Sequence, residues 1–401
     1  MKRNTLLIVV IAVAAIFLLF NPLQYITGNK DAVQRPPLTT AAVTPLLQYA
    51  QSAWKAPEDY VLSSFGSHDI VFLGEFYKIS QNPQLVARLI PRLYAAGIRN
   101  LGIEYALSDD QKDIDALVTS SVWDEAKARA ITFDWVVTWG YQEYIDIYKA
   151  AWQVNSARPA GAQPFRVVGL SPRQDWTVLT SEKDATDPAV VAKMYAQGVP
   201  DQHMAEVIDR EFLQKGQKAL VYCGTQHALT KYRSTEYEKN AAAMKLPEVR
   251  RAGNIVAAKA PGRTMTIALH APWPDATAKN GLGYPVGGAI DAVIDQLPDD
   301  RKSGGWDTAG TPFGALSIKG SPYGTDAATT LADLFDGYIV MGPIRLYTTV
   351  TPIRDFITAA NGDTAVKNFP GVKTAPLTRD QVQTAILQDV QTLQKALALF
   401  R

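Results

Sequence analysis

The sequence predicts an α/β fold with a parallel or mostly parallel sheet that helices cover on both faces. Short apolar runs without polar alternation recur along the chain, which is typical of strands buried on both sides. Segments with helical periodicity separate these runs, and such alternation is typical of parallel strands joined by crossover helices. The 401 residues are 47% hydrophobic and 20% charged, so the chain can bury a large core without disulfides or metals.

An N-terminal membrane-anchor helix is predicted to precede this fold. Lys2 and Arg3 lie before an unbroken apolar run at residues 6–20. Basic residues stay on the cytoplasmic side, so a signal anchor or a cleaved signal peptide over residues 1–27 would place the rest of the chain on the periplasmic or extracellular side of the cell envelope. We expect an uncleaved single-pass inner-membrane anchor, because no small-x-small cleavage site comes after the run.

The charge and cysteine content exclude some classes of partner and cross-link. A net charge of +1 gives no bulk attraction to nucleic acid or to anionic lipid. The single cysteine excludes an intramolecular disulfide. We therefore expect a small molecule or a peptide as substrate or ligand, the membrane only through the N-terminal helix, and no nucleic acid.

The organisation predicted along the chain is a linker at residues 28–44 and a single α/β domain at 45–401. A Gly- and Pro-rich stretch at about 271–330 predicts a long excursion over one edge of the sheet. Helical patterns occur at 45–54, at 82–97 with Asn82 as N-cap, from 108, at 205–215 and at 378–399. The predicted strands are 69–74, 100–104, 165–170, 218–224, 264–269 and 337–341.

Charged and aromatic side chains come after these strands, at their carboxyl ends. Ligands of open α/β sheets bind in the crevice beyond those ends. Glu75, Glu104 and His227 are the predicted catalytic residues. The predicted ligand-binding residues, which come after the strands or belong to an aromatic segment, are Tyr77, Arg173, His270, Arg345 and Trp139.

Two carboxylates and a histidine suit either general acid–base hydrolysis or a divalent-metal site, in which Glu75 and His227 would be ligands. The residue types do not choose between these. A structural interpretation also stays open, with the carboxylates at helix N-termini and the histidine as a satisfied loop residue. The chain has no Gly-x-Ser-x-Gly elbow and no phosphate-binding Gly-Lys-Ser/Thr loop.

The segment at residues 133–152 is rich in aromatic residues and includes Trp139. Tyr144, Tyr148 and Trp152 are spaced to share one helix face. Core packing and an aromatic lid over a flat, apolar ligand are both compatible with this pattern.

Three stretches in fixed order, 71–75, 102–104 and 201–227, resemble the ChaN, TraB and Tiki superfamily, with erythromycin esterases as distant members. The resemblance implies a site built from a Gly-Glu-x-His element, a second Glu and a later Gly-x-x-His. Glu75, Glu104 and His227 match, whereas Tyr77 stands where the family has the first histidine. A neutral phenol is a poor base at pH 7, which argues against full hydrolytic activity.

These observations give three expected functions. The first is hydrolysis of an ester or amide bond by a Glu/Glu/His site. The second is non-catalytic binding of haem or another flat apolar ligand, with Tyr77 and His227 as ligands. The third is a pseudoenzyme that acts as an interaction module. A divalent metal and haem are both open as cofactors.

Overall fold

The computed structural model describes residues 26–275, 278–319, 321, 323, 328–372 and 376–400. The strands in these ranges are β1 Ile70–Glu75, β2 Asn100–Leu107, β3 Arg166–Ser171, β4 Ala219–Gly224, β5 Thr264–Leu269, β6 Trp273–Pro274, β7 Leu282–Gly283, β8 Gly304–Asp307 and β9 Gly337–Val340. The helices are α1 Thr40–Ala53, α2 Pro57–Ser64, α3 Gln81–Ala95, α4 Gln111–Val118, α5 Glu125–Trp135, α6 Gln142–Ser156, α7 Pro188–Met194, α8 Pro200–Ile208, α9 Thr225–Ala228, α10 Thr235–Ala243, α11 Ala252–Lys259, α12 Ala289–Ile294, α13 Leu331–Leu334, α14 Gly362–Lys367 and α15 Arg379–Leu397.

The main sheet has the strand order β3-β2-β4-β1-β5-β9-β8. Its pairings are parallel except that β8 runs antiparallel to β9 at one edge. The predicted mostly parallel α/β class is therefore confirmed. The six predicted strands are all present, whereas β8 lies inside the excursion and was not predicted, because its Gly304-Gly305-Trp306-Asp307 sequence has no strand pattern.

The helices divide between the two faces of the sheet according to the direction of each crossover. Helices α3, α4, α5 and α6 come after β1 or β2 and pack their apolar sides on one face. Helices α8 and α11 connect β3 to β4 and β4 to β5, and they pack on the other face. The change of direction makes β1 and β4 the central strands, so a site at their carboxyl ends is enclosed from both sides.

Several predicted helix ends differ from the observed ones. The first helix begins at Thr40 rather than at 45, and α3 begins at Gln81. Asn82 is thus not an N-cap, and its amide nitrogen instead donates to the carbonyl of Phe76 at 3.1 Å. The predicted helix at 378–399 is present as α15, and Thr378 and Gln381 form a capping box at its start, with hydrogen bonds of 2.7 and 3.3 Å.

The stretch predicted as a linker is packed against the domain where the structure describes it. Val33 donates from its backbone nitrogen to the carbonyl of Leu399 at 2.9 Å. Arg35 forms an ion pair with Asp295 at 2.7 Å. These contacts join residues 26–35 to the end of α15 and to α12.

Within the described ranges, no helix has the length and apolar character needed to cross a bilayer. This finding contradicts the predicted single-pass inner-membrane anchor and the cell-envelope placement derived from it. The apolar run at residues 6–20, on which that prediction rested, lies outside the described residues.

A bulge in β2 sets the direction of the side chains near its end. The pairing with β3 runs regularly to Ile103 opposite Gly169, and it resumes only at Leu107 opposite Ser171. Glu104 and Tyr105 therefore lie in an irregular segment, where a bulge changes the direction of side chains. Gly169 makes the bulge possible, since a Cβ there would collide with the backbone oxygen of Leu107.

We predict that Gly169→Ala lowers the free energy of unfolding by about 1–3 kcal/mol, because the added methyl group meets backbone that cannot move without disturbing the bulge. Urea denaturation measures this change. Gly102→Ala is the matched control, since its Cβ meets only side-chain atoms, the nearest at 3.1 Å on Leu170, and it should cost less. Equal losses for the two variants would contradict the role of Gly169 in the bulge.

Candidate active site

The end of β1 and the loop after β4 approach each other closely. Gly74 lies beside Thr225, the first residue of α9, and a Cβ at Gly74 would lie 2.9 Å from the Cα of Thr225. Gly224 lies under the ring of Tyr77, and a Cβ there would collide with the phenolic oxygen. The two glycines therefore allow the residues after β1 and β4 to share one space.

Glu75, the last residue of β1, is 2% exposed and is surrounded by phenols. Tyr144 donates to its Oε1 at 2.7 Å, Tyr105 donates to the same oxygen, and Tyr222 donates to its Oε2. Burial raises the pKa of Glu75 to about 8, although the three hydrogen bonds act in the opposite direction. This carboxyl group thus changes its protonation state close to neutral pH.

The turn after β1 contains Tyr77 and contacts Tyr144, one of the phenols that donate to Glu75. Lys78 has a φ of 69°, in the left-handed region that a non-glycine residue seldom adopts. In this conformation its backbone nitrogen donates to the hydroxyl oxygen of Tyr144 at 3.2 Å. The Lys78 amine forms an ion pair with Asp389 on α15. The strained turn is therefore held by contacts from two helices.

Glu104 accepts hydrogen bonds from two sides. The Tyr77 hydroxyl lies 3.1 and 3.2 Å from its two carboxylate oxygens, and the backbone nitrogen of Gly224 donates to Oε2 at 2.8 Å. The Nε2 atom of His227 lies 3.6 Å from Oε1. Glu104 is thus placed between a residue of the turn after β1 and residues at the end of β4.

His227 lies between two carboxylates. Its Nδ1 atom is 2.7 Å from Oδ1 of Asp201, while Nε2 faces Glu104. Burial alone would lower the pKa of His227, but Asp201 and Glu104 outweigh burial and raise the pKa. Because both ring nitrogens face acceptors, this environment favours the imidazolium, which donates from both nitrogens.

Asp201, in the first turn of α8, holds His227 from behind and is 2% exposed. It also accepts from Tyr237 at 3.1 Å, from Arg251 at 3.1 Å and from the backbone nitrogen of Ala252 at 2.8 Å. Burial alone would raise the pKa of Asp201, but His227 and Arg251 outweigh it and hold the pKa well below its usual range. Asp201 is therefore a buried anion with every partner in place.

Sequence reasoning did not assign a role to Asp201, although the residue lies in a stretch that carries the family resemblance. The predicted helix began at residue 205, so Asp201 lay outside every predicted helix and strand. Tyr105, Tyr144 and Tyr222 were not predicted as site residues, since aromatic residues in strands and helices are usually core residues.

A cavity of about 50 Å³ opens beside these groups, enough for a few water molecules or one small chemical group. The polar and charged side chains that line it include Glu75, Tyr77, His227 and Arg251. Apolar and aromatic residues line it as well, among them Phe76, Leu269, Trp273, Phe335 and Tyr338. The cavity thus joins ionisable groups to a surface suited to a planar or apolar group.

The structure brings Glu75, Tyr77, Glu104 and His227 together. It does not bring the other predicted ligand-binding residues to the cavity. His270 is fully buried, with Nδ1 3.0 Å from the hydroxyl of Tyr338 and Nε2 3.3 Å from Asp291. The remaining predicted residues, which lie elsewhere, are Arg173 paired with Asp110 at 3.6 Å, Arg345 paired with Asp295 at 3.8 Å, and Trp139 in the core behind Tyr77.

The contacts in the site do not fit the predicted metal ligands. Both carboxylate oxygens of Glu75 accept hydrogen bonds from phenols, and Nδ1 of His227 is hydrogen-bonded to Asp201. Within the described ranges, no cluster of three or more His, Cys, Asp or Glu side chains is arranged to hold a metal ion. Haem ligation by Tyr77 and His227 fits no better, since the Tyr77 hydroxyl is bonded to Glu104.

No protein-family model and no curated protein matches this chain. A solved succinoglycan biosynthesis protein is 11% identical over 78% of this chain and 99% of its own, with a TM-score of 0.53. An erythromycin esterase mutant in an open conformation is 13% identical, covering 70% and 92% of the two chains, with a TM-score of 0.45. ChaN of Campylobacter jejuni, solved with cofacially bound haem, is 12% identical, covering 55% and 88%, with a TM-score of 0.34.

At these identities the matches bear on the fold alone. The erythromycin esterase and ChaN structures are among those similar to this chain, but with TM-scores of 0.45 and 0.34 the relation to that superfamily stays a prediction. That Tyr77 stands at the place of a motif histidine stays a prediction. This chain shares its fold with the succinoglycan biosynthesis protein, and its chemistry is to be judged from its own residues.

We predict that Glu75→Gln changes how stability depends on pH. Between its usual pKa near 4.5 and the folded-state value of about 8, Glu75 holds a proton in the folded chain that the unfolded chain releases. This contribution favours folding at low pH and is lost as the pH rises through about 8. As the pH rises between these two values, the free energy of unfolding of wild type should therefore fall relative to that of Glu75→Gln, by up to about 1.4 kcal/mol per pH unit.

Denaturant titrations from about pH 5 to about pH 9 measure that difference. Glu206→Gln is the control, because Glu206 is exposed on α8. The difference in free energy of unfolding between this variant and wild type should hardly change with pH. A flat difference for Glu75→Gln as well would show that the pKa of Glu75 is ordinary.

A second prediction concerns Asp201→Asn, which removes one of the two carboxylates that raise the pKa of His227. That pKa should fall, and the free energy of unfolding should drop by about 3–5 kcal/mol because Arg251 loses its buried charge partner. NMR titration of the histidine side chains measures the pKa of His227 directly, because only four histidine signals have to be assigned in this chain. Asp209→Asn, which removes a more exposed pair with Lys259, should leave His227 unchanged. An unaltered His227 titration in Asp201→Asn would refute the pairing.

Proposed function

We propose that this chain hydrolyses an ester or amide bond, with Glu75 as the base and His227 as the acid. The observation that carries the proposal is a carboxyl group with a pKa of about 8 in the same cavity as a histidine held between two carboxylates. Titratable groups whose surroundings shift their pKa values and which share one cavity are typical of enzyme active sites.

Glu75 has the acceptor capacity to activate water once it is ionised. A carboxylate offers about four acceptor positions, and the three phenols occupy three of them. The fourth remains for a water molecule in the cavity that Glu75 lines. The proton of that water passes to Glu75 as the oxygen attacks the carbonyl carbon.

His227 acts as the proton donor in this proposal. As an imidazolium it has no lone pair to serve as a base, but it can stabilise the negative charge that forms on the carbonyl oxygen and protonate the leaving group. Asp201 and Glu104 keep the imidazolium charged and oriented. Their role is thus positioning, and Glu104 is not required to take a proton from water.

Tyr77 supports Glu104 in place of the imidazole that the family pattern has. Burial raises the pKa of Tyr77 well above its usual value, so the phenol stays neutral and donates to Glu104. A neutral donor at this position leaves Glu75 as the group able to take a proton near neutral pH. The proposed chemistry therefore differs from one that depends on a histidine base.

Haem binding has less support as an alternative. Ligand sites commonly have volumes of roughly 300–1,000 Å³, far more than the cavity of about 50 Å³ beside Tyr77. The interaction-module alternative gains no specific support, since the carboxyl, imidazole and guanidinium groups converge on a cavity rather than on an exposed face.

We predict that wild-type chain hydrolyses members of a panel of small esters and amides, and that Glu75→Gln and His227→Gln each lower kcat/KM at least about 100-fold, the size typical of losing general acid–base catalysis. In wild type, turnover should rise with pH through about 8 as Glu75 ionises, for as long as His227 keeps its proton. Steady-state assays measure both effects.

Glu206→Gln serves again as the control and should retain wild-type turnover. Turnover that survives in both Glu75→Gln and His227→Gln would overturn the assignment of acid and base. A panel with no substrate hydrolysed above the rate in the double variant would overturn the proposed activity.

A further inference from the structure

The lining of the cavity contains a side-chain amide without hydrogen-bond partners. Gln226 is 9% exposed, and both its Nε2 and Oε1 atoms are shielded from water and unpaired. Burial raises the pKa of Tyr323, and the contact of its hydroxyl with Gln226 partly offsets that rise, but neither amide atom has a partner at the distance and angle of a normal hydrogen bond. An unpaired buried amide destabilises the folded state, so its retention at a cavity wall points to a ligand as the missing partner.

A second residue that lines the cavity, Arg251, also has an unpaired polar atom. Arg251 is 4% exposed, and its Nε has no hydrogen-bond partner, while Nη1 is held by Asp201. The guanidinium carbon lies 3.3 Å from the ring centre of Tyr237, which fixes the plane of the group. The cavity lining therefore presents unpaired donors on two residues and an unpaired acceptor on Gln226.

The position of Gln226 relates it to the proposed chemistry. It directly precedes His227 on α9, and both side chains line the cavity. The aromatic residues Phe76, Trp273 and Phe335 line the same cavity. A planar group hydrogen-bonded to Gln226 would thus share the cavity with these rings and with the proposed proton donor.

We propose that Gln226 selects amides over esters, and that the group it binds is a carboxamide or a lactam. Such a group presents an N–H donor and a carbonyl acceptor side by side, which match the acceptor and donor of Gln226. An ester or lactone of the same shape has no N–H and leaves Oε1 of Gln226 unpaired. Sites that bind a polar substrate group discriminate strongly against analogues that lack it, because buried polar atoms are then left without partners. Only the claim that the bound amide is also the bond cleaved rests on the proposed function; the binding preference does not depend on it.

The test uses 2-pyrrolidinone and γ-butyrolactone, a lactam and a lactone that differ in one ring position. Binding is measured on the full chain carrying Glu75→Gln, by NMR chemical-shift changes of the histidine and tryptophan side chains. The lactam should bind at least 10-fold more tightly than the lactone. Adding Gln226→Met should abolish this preference, whereas adding Gln202→Met, which alters a partly exposed glutamine of α8, should leave it intact.

Thermal unfolding separates a ligand-binding role from a structural one. Gln226→Met removes an unpaired buried amide while keeping a similar shape, so its midpoint should equal or exceed that of the parent chain. Equal affinities for lactam and lactone, or a preference that survives Gln226→Met, would overturn the inference. A clearly lower midpoint would overturn it too, because it would show that the amide is bonded within the fold. Binding is measured without turnover, so a failure to find hydrolysis would count against the proposed function and leave this preference standing.

Discussion

The site depends on the close approach of the loop after β4 to the end of β1. Gly74 and Gly224 permit it, since a side chain at either position would collide with Thr225 or with Tyr77. The approach places α9 over the end of β1, so that His227 comes within 3.6 Å of Glu104. The absence of a side chain at Gly74 and at Gly224 is thus required before the charged groups of the site can come together.

The same small volume holds carboxyl groups in opposite protonation regimes. Glu75 is buried among neutral phenols, and burial without a cation raises its pKa to about 8. Asp201 is equally buried, yet Arg251 and His227 keep it ionised. The difference comes from neighbouring charge rather than from depth, because a paired charge regains in attraction and hydrogen bonding what it loses in hydration. Within one site, one carboxyl is thereby ready to exchange a proton while the other holds a cation in place.

The aromatic segment at residues 133–152 packs against the tyrosines of the site and holds their rings in place. Trp139 stacks on Tyr105 with ring centres 5.4 Å apart, and it packs edge-on against Tyr77 at 5.6 Å. These contacts fix the rings whose hydroxyl groups donate to Glu75 and Glu104. A packed aromatic layer of this kind holds phenolic donors with little freedom to reorient, which is the condition that an active site needs for its hydrogen bonds to persist.

The sequence by itself determined the strands and the residues at their carboxyl ends. Uninterrupted apolar runs locate β1, β2 and β4, and the parallel arrangement places the residues at or just after the end of each run, Glu75, Glu104 and His227, at one edge of the sheet. Only the tertiary structure decided which side chains meet there. Asp201 reaches His227 from a helix on one face, and Tyr144 reaches Glu75 from a helix on the other, across separations in the chain that no local pattern records. His270 comes after a strand as His227 does, but it is turned into the core and bonded to Tyr338. Periodicity fixes the edge of the sheet at which a residue lies, whereas the direction of its side chain and its pKa depend on packing between distant segments.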